Sequence, residues 1–172
     1  MKKTFVVMML CFLCLGCGKK KELGDSIRFK EEYEQYNEEY ISLEISESNL
    51  IKYRTVEEVN QIIKEGTGVI YIGSPQDDLS RRAVDILFSV ASNTGLEQIY
   101  YLDSLDEMNG LEDIQDFNIP LVLFVVEGNI LSYHIGTIDG KVDLSEDEVV
   151  QLYNIYLDGI HQVLGDACDE RC

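Results

Sequence analysis

Apolar and polar residues follow two distinct periods along the chain, and these periods predict both strands and helices. Continuous apolar runs rich in β-branched residues predict buried strands at Gly68–Gly73 and Leu121–Val126. Apolar residues recur at helical spacing over residues 79–91 and 152–164. Gly95 follows the first of these helical patterns and predicts the end of that helix.

Shorter signals predict the remaining elements. Capping-box sequences, in which Glu follows Thr or Ser by three residues, start at Thr55 and Ser145 and predict helix N-termini. Short apolar stretches at residues 50–53, 98–102 and 130–136 predict further strands. The last of these is expected to form a hairpin with the apolar run before it.

An aromatic pattern precedes these elements. Residues 27–40 are rich in glutamate, and four aromatic side chains recur there at helical spacing: Phe29, Tyr33, Tyr36 and Tyr40. We interpret the stretch as an amphipathic helix that packs this aromatic stripe on the domain, whereas the alternative is a docking surface for a partner. Alternating apolar residues at 41–45 then predict an edge strand.

The first 16 residues have the features of an export signal rather than of a folded element. Two lysines precede an apolar stretch that is too short to span a bilayer as a helix. The stretch ends in the letters CLGC, which resemble a bacterial lipobox. The resemblance implies cleavage before Cys17 and a diacylglycerol on its sulfur, with residues 17–26 as a tether. The alternative is an ordinary cleaved signal peptide.

Composition and charge narrow the choice of partners. The chain has 172 residues, of which 45% are hydrophobic, and this suffices for one domain with a packed core. Its formal net charge of -18 disfavours nucleic-acid backbones and anionic lipid surfaces, because like charges repel. We therefore expect no nucleic-acid partner, no cofactor, and contact with a membrane through a lipid on Cys17.

The order of strands and helices predicts an α/β fold with both faces of the sheet covered. From residue 50 to residue 164 this order resembles the thioredoxin fold, which has a mixed central sheet flanked by helices. The stretches GTGVIYIGSP, QIYYLD and IPLVLFVVEGNILSYHIGT are similar to bacterial thioredoxin-like lipoproteins of the Gram-positive accessory type. The resemblance covers nearly the whole chain after the signal and tether.

The resemblance also implies a site. Redox-active members carry Cys-x-x-Cys in the turn after the first buried strand, and Asp77 and Ser80 occupy those positions here. Disulfide exchange needs a thiolate, which neither residue supplies, whereas an aspartate caps a helix well. Ile119 and Pro120 match the cis-proline segment of the family, which implies a groove that holds an extended peptide by strand-like hydrogen bonds.

Two other chemistries at the same turn lack necessary residues. A metal ion would need a third ligand besides Asp77 and Asp78, and the sequence fixes none. Ser80 as a hydrolytic nucleophile would need a base, but His134 and His161 belong to no recognisable triad motif. We leave both histidines unassigned.

The polar C-terminal tail carries the last two cysteines, Cys168 and Cys172. Outside the cytoplasmic membrane a disulfide persists, and we interpret these cysteines as a structural disulfide that closes a short loop. The alternative is a redox-active pair, because a small exposed loop is easily reduced.

These features predict a lipid-anchored protein on the extracytoplasmic face of a bacterial membrane. Residues 27–49 would form the N-terminal helix and edge strand, residues 50–165 the thioredoxin-like domain, and residues 166–172 the cysteine-containing tail. Without its dithiol motif the domain would act as a non-catalytic binding or accessory module for an exported protein or peptide, or for a membrane exporter. Two alternatives are a thiol–disulfide oxidoreductase that uses Cys168 and Cys172, and a structural or immunity-like surface protein that makes contact through the aromatic stripe.

Overall fold

The computed structural model of the protein describes residues 24–36, 50–104, 110–111, 114 and 118–165. Within these residues it contains four helices and five strands. The helices are α1 (Asp25–Glu34), α2 (Val56–Glu65), α3 (Asp78–Thr94) and α4 (Glu146–Leu164). The strands are β1 (Ile51–Tyr53), β2 (Gly68–Gly73), β3 (Ile99–Asp103), β4 (Leu121–Val126) and β5 (Asn129–His134).

The strands form one mixed sheet in the order β1-β3-β2-β4-β5. β3 lies between β1 and β2 and runs parallel to both, while β4 pairs antiparallel with β2 and β5 antiparallel with β4. The register places Tyr71 opposite Tyr101 on one side and Val122 on the other. The predicted α/β class with a mixed central sheet is confirmed. This strand order is compatible with a thioredoxin-like fold without being specific to it.

Helices cover both faces of the sheet, and β2 shows how its side chains divide between them. Val69 and Tyr71 belong to a core that includes residues of α1, α3 and α4, whereas Ile70 and Ile72 belong to a core that includes residues of α2. This division follows from the strand period, because successive side chains point to opposite faces. All residues of β2 are buried, which explains its unbroken apolar sequence.

The N-terminal helix α1 is part of the core. Phe29 and Tyr33 are fully buried, their rings stack on each other, and Phe29 meets Tyr101 edge-to-face. Burying each ring contributes on the order of 2 kcal/mol to stability. Tyr36 is 48% exposed because the helix has ended before it, and Tyr40 lies outside the described residues. The predicted packing of the stripe is therefore confirmed for its first two members and wrong for Tyr36.

Local sequence signals predict the helix ends correctly. The Thr55 side chain accepts a hydrogen bond from the Glu58 amide, and the Ser145 side chain accepts one from the Glu148 amide. In return, the Glu58 carboxylate accepts from the Thr55 amide and the Glu148 carboxylate from the Ser145 amide, so both capping boxes are complete. Gly95 follows α3 in the left-handed conformation, with φ of 72°. This conformation suits glycine because it has no Cβ to clash with the preceding turn.

The last strand differs from its predicted range. β5 spans Asn129–His134, whereas the short apolar stretch in the sequence predicts a strand over residues 130–136. Glu127 and Gly128 both have positive φ, so the hairpin closes one residue earlier than predicted. Gly136 also has positive φ, which ends the extended chain.

Candidate functional site

The turn between β2 and α3 contains the two residues at the implied cysteine positions. Asp77 caps α3, and its Oδ2 accepts a hydrogen bond from the Ser80 amide over 2.7 Å. The Ser80 hydroxyl donates to the same oxygen, also over 2.7 Å. A carboxylate here satisfies amides that have no partner within the helix, and it lies favourably in the helix dipole. Asp77 therefore serves as the helix cap, and the Ser80 hydroxyl adds a second hydrogen bond to its carboxylate.

Ser80 is fully buried, and its hydroxyl both donates and accepts. Besides donating to Asp77, it accepts a hydrogen bond from the Ser74 amide over 3.2 Å. A hydrolytic serine has to reach its substrate and pass its proton to a base. Because Ser80 is fully buried, its hydroxyl cannot reach a substrate, and we assign it a structural role.

Buried tyrosines hold the turn from the side of the core. Tyr71 donates to the carbonyl oxygen of Ser80 over 2.8 Å, and Tyr101 donates to the carbonyl oxygen of Gly73 over 3.2 Å. The hydroxyl oxygens of Tyr33 and Tyr71 are 3.2 Å apart, within hydrogen-bonding distance. Burial raises the pKa of all three tyrosines, so they remain protonated. Helix α1 is thereby joined to the turn.

The outer residues of the turn have partners as well. Arg81 donates from Nη1 to the carbonyl oxygen of Pro75 over 2.6 Å and forms an ion pair with Asp78. Because Asp78 contacts Arg81 and Asp77 contacts Ser80, the adjacent carboxylates serve different partners. In the described ranges no three His, Cys, Asp or Glu side chains are grouped so that they could hold a metal ion.

Pro120 lies against α3 and against the chain that follows β5. The Ile119–Pro120 peptide bond is cis, as the family resemblance implies, and Pro120 is buried while Ile119 is half-buried. A Cβ added to Gly136 would lie 2.6 Å from Cγ of Pro120 and 2.8 Å from Cβ of Ala83. Gly136 has φ of 68°, which also favours glycine. Three segments thus meet closely here: the start of β4, the chain after β5, and α3.

The two histidines lie far from Ser80 in the sequence, and the Ser80 hydroxyl has Asp77 and Ser74 as its hydrogen-bond partners. His134 is half-buried at the end of β5, and its Nδ1 accepts a hydrogen bond from the Gly136 amide over 3.1 Å. Its ring meets the ring of Tyr156 edge-to-face. Burial lowers the pKa of His134, which favours the neutral ring that this hydrogen bond requires. His161 lies in the last turn of α4.

Two adjoining cavities lie near β1, at the edge of the sheet opposite to β5. Their volumes are about 460 and 350 Å³, and Arg54 and Glu58 line both of them. Arg28, Glu57 and Asp103 line the larger one, so positive and negative side chains are mixed around it. This mixture favours neither an anion nor a cation, and we assign no ligand to these cavities.

Several predicted features fall outside the described residues: Cys17, Cys168, Cys172 and the edge strand at residues 41–45. In the portions of the chain that the structure describes, no helix combines the length and the apolarity needed to cross a bilayer. No protein-family model matches the chain, and no curated protein shows significant similarity to it.

Two features of the site region have no signal in the sequence. The hydroxyl of Tyr33 reaches that of Tyr71 across 38 residues of chain, and helical spacing predicted burial of Tyr33 but no partner for its hydroxyl. The exposure of apolar side chains in β5 is the second such feature, because residues 130–136 were predicted only as the second strand of a hairpin. Strand spacing indicates that alternate residues share a face, but it does not say which face stays uncovered.

Proposed function

We propose that this chain is a lipid-anchored, extracytoplasmic, thioredoxin-like protein that binds a polypeptide and carries no thiol chemistry in its α3 turn. In this proposal Cys17 bears the lipid. The domain holds an extended segment of an exported protein or peptide, or of a membrane exporter, near Ile119 and Pro120. The proposed binding needs no cofactor.

The hydrogen bonding of Asp77 and Ser80 is the observation on which the non-catalytic role rests. The carboxylate accepts both the amide and the hydroxyl of Ser80, and the hydroxyl is fully buried. Neither group is a nucleophile for a disulfide, because that reaction needs a thiolate and a second thiol to resolve the mixed disulfide. The turn is therefore built to be stable rather than reactive.

The strand order and the packing around Pro120 support the thioredoxin-like part of the proposal. The order β1-β3-β2-β4-β5 is compatible with that fold, and Gly136 lies close both to Pro120 and to Ala83 of α3. Half-buried Ile119 precedes Pro120 and packs partly against the core that includes α2. In this proposal an extended peptide contacts the exposed part of that side chain and pairs with the backbone beside it.

The binding test uses the purified protein and alkylated insulin B chain as an extended, thiol-free probe. The variant Ile119→Glu is expected to weaken binding about tenfold, because it places a charge in a half-buried apolar position. Ile27→Glu is the matched control, since it makes the same charge change at a side chain of α1 that is 42% exposed. Absence of binding by the wild type, or equal affinities of the two variants, would contradict the proposal.

The anchoring test is independent of binding. Expressed with its signal in a bacterial host, the wild type should incorporate labelled palmitate and partition into detergent, because two acyl chains anchor stably. Cys17→Ser should do neither. A wild type that is secreted without label would point to an ordinary cleaved signal peptide.

The two alternative functions depend on different residues. An oxidoreductase would use Cys168 and Cys172, and insulin reduction that is lost in Cys168→Ala would favour it. An immunity-like protein that makes contact through the aromatic stripe is disfavoured, because Phe29 and Tyr33 are fully buried in the protein's own core. Tyr36 is the exposed member of that stripe among the described residues.

A further inference from the structure

Two backbone amides of β1 point away from the sheet. β1 is the terminal strand, and β3 pairs with its inner side. The Arg54 amide donates to the carbonyl oxygen of Tyr101 in β3, so the backbone of Arg54 is directed towards that strand. Because successive residues of a strand direct their backbone groups to opposite sides, the amides of Ile51 and Tyr53 are directed outwards.

Side chains of α1 accept hydrogen bonds from both of these outward amides. The Ile51 amide donates to Oγ of Ser26 over 2.9 Å, and the Tyr53 amide donates to Oδ2 of Asp25 over 3.3 Å. In a larger sheet, the carbonyl oxygens of a neighbouring strand would accept from these amides. α1 therefore closes the outer edge of β1 in the way that covering helices protect sheet edges.

The other contacts of α1 determine how it can leave this edge. The guanidinium of Arg28 lies 4.1 Å from the centre of the Tyr53 ring, and the Tyr53 hydroxyl donates to Glu32. Phe29 and Tyr33 are buried in the core. α1 has only 10 residues and no side-chain cap at its N-terminus, and helices this short are unstable in isolation. When its two rings leave the core, α1 is expected to undock as a unit.

The side chains of β1 define what an added strand would carry. Lys52 and Arg54 share one face of the strand, while Ile51 and Tyr53 share the other. Residues directly opposite each other on neighbouring strands interact, so acidic side chains suit the first face and apolar ones the second. Undocking of α1 also removes the carboxylate of Asp25 from the edge.

We propose that α1 is an autoinhibitory helix. When it undocks, the outer edge of β1 accepts, as an added strand, an extended segment of another protein in which acidic and apolar side chains alternate. The apparent affinity for this partner is reduced in proportion to the fraction of molecules in which α1 is undocked. β3 and β2 separate this edge from β4 and from the groove near Ile119 and Pro120, so the inference goes beyond the function proposed above.

The first test measures binding of a labelled peptide in which glutamate and valine alternate, by fluorescence anisotropy at about 150 mM salt, where distant charges are screened. Asp25→Ala with Ser26→Ala removes both edge contacts and should bind about tenfold more tightly than the wild type. Asp158→Ala with Ser89→Ala makes the same changes at exposed positions of α4 and α3, and should alter binding less than about twofold.

The second test locates the peptide on β1. In the Asp25→Ala, Ser26→Ala variant, Lys52→Glu should weaken binding about tenfold. Lys141→Glu makes the same charge change after β5, at the opposite end of the sheet, and should weaken binding less than about twofold. A peptide with alternate amides N-methylated keeps its charge but cannot pair along the edge, and it should not bind.

Amide hydrogen exchange separates opening of the edge from unfolding of the strand. In the Asp25→Ala, Ser26→Ala variant, the Ile51 and Tyr53 amides should exchange about tenfold faster than in the wild type, while the Arg54 amide, which bonds to β3, should keep its rate. The bound peptide should slow the two outer amides again. Equal acceleration of all three would mean that α1 supports the whole strand, and would overturn the inference.

Three binding results would also overturn the inference. They are absence of binding by the Asp25→Ala, Ser26→Ala variant, equal affinities of this variant and the wild type, and equal binding of the N-methylated peptide. Binding that Ile119→Glu weakens and Lys52→Glu does not would assign the peptide to the groove instead. If this peptide fails to bind while insulin B chain binds in a manner that depends on Ile119, this inference fails and the groove proposal stands.

Discussion

The turn at the N-terminus of α3 and the outer edge of β5 use their polar groups in opposite ways. In the turn, the Ser80 hydroxyl bonds to Asp77 and to the Ser74 amide. The buried Tyr71 hydroxyl donates to the carbonyl oxygen of Ser80. At the edge of β5, apolar side chains are exposed and the strand pairs, within the described chain, on one side only. The turn thus stabilises the fold, whereas β5 exposes apolar side chains at one end of the sheet. We therefore expect substitutions in the turn to lower stability more than substitutions at the exposed positions of β5.

The largest loss of stability is expected at Gly136, which lies close to Pro120 and to Ala83 of α3. Gly136→Ala should lower the free energy of unfolding by about 2–4 kcal/mol, because it combines a left-handed backbone with a collision against Pro120 and Ala83. Gly140→Ala is the control: Gly140 has φ of 72° but no atom within 4 Å of the added Cβ.

The control should lose only the backbone component, about 1–2 kcal/mol. Urea unfolding of both variants measures the difference between them. Equal losses would show that the close contact of Gly136 with Pro120 contributes nothing, and the packing of the site would have to be revised.

A smaller loss is expected inside the turn. Ser80→Ala removes the acceptor of the buried Ser74 amide and one donor to Asp77, and it should cost about 1–3 kcal/mol. Ser89→Ala, at an exposed position of the same helix, should change stability by less than about 0.5 kcal/mol. Thermal unfolding of the two variants measures this difference. Similar melting temperatures of Ser80→Ala and Ser89→Ala would contradict a structural role for the hydrogen bonds of Ser80.

A pH-dependent effect is expected at the junction of the two regions, where His134 ends β5. Burial lowers its pKa, so the unfolded chain binds a proton more readily than the folded one as the pH falls. Protonation also converts Nδ1 from acceptor to donor, which breaks the bond from the Gly136 amide. The stability of the wild type should therefore fall between about pH 7 and about pH 5 more steeply than that of His134→Asn. Parallel stability curves of the two proteins, measured by urea unfolding at each pH, would contradict this account.

The smallest effect on stability is expected at Leu131 of β5. Leu131→Lys should shift the free energy of unfolding by no more than about 0.5 kcal/mol, because the side chain is 49% exposed. A loss of several kcal/mol, measured by urea unfolding, would mean that Leu131 is covered in the folded protein.

Local interactions explain which parts of the fold were predictable. The capping boxes at Thr55 and Ser145 and the glycine end of α3 each depend on residues within one helical turn, and all three were predicted correctly. The boundaries of β5 were wrong because the backbone angles of Glu127 and Gly136 depend on how the hairpin closes. An apolar alternation carries no information about those angles.

The candidate site was predictable in part. The resemblance gave the positions of Asp77, Ser80 and Pro120, and helix-capping chemistry explains why an aspartate suits the first of them. The support from Tyr33 and Tyr101 was not predictable, because these hydroxyls meet the turn through contacts between residues far apart in sequence. The exposure of apolar side chains in β5 was also not predictable, since it depends on how the helices pack on the sheet.

We propose that Asp77 and Ser80 stand at the two positions that the cysteines of a dithiol motif would occupy in the α3 turn. Insulin reduction with dithiothreitol as reductant tests this placement. The wild type should be inactive, and Asp77→Cys with Ser80→Cys should be active, because a helix N-terminus stabilises a thiolate. Asp78→Cys with Arg81→Cys is the matched control, one residue out of position, and should be much less active. Activity of the wild type that Cys168→Ala removes would contradict the claim, as would equal activity of the two dithiol variants.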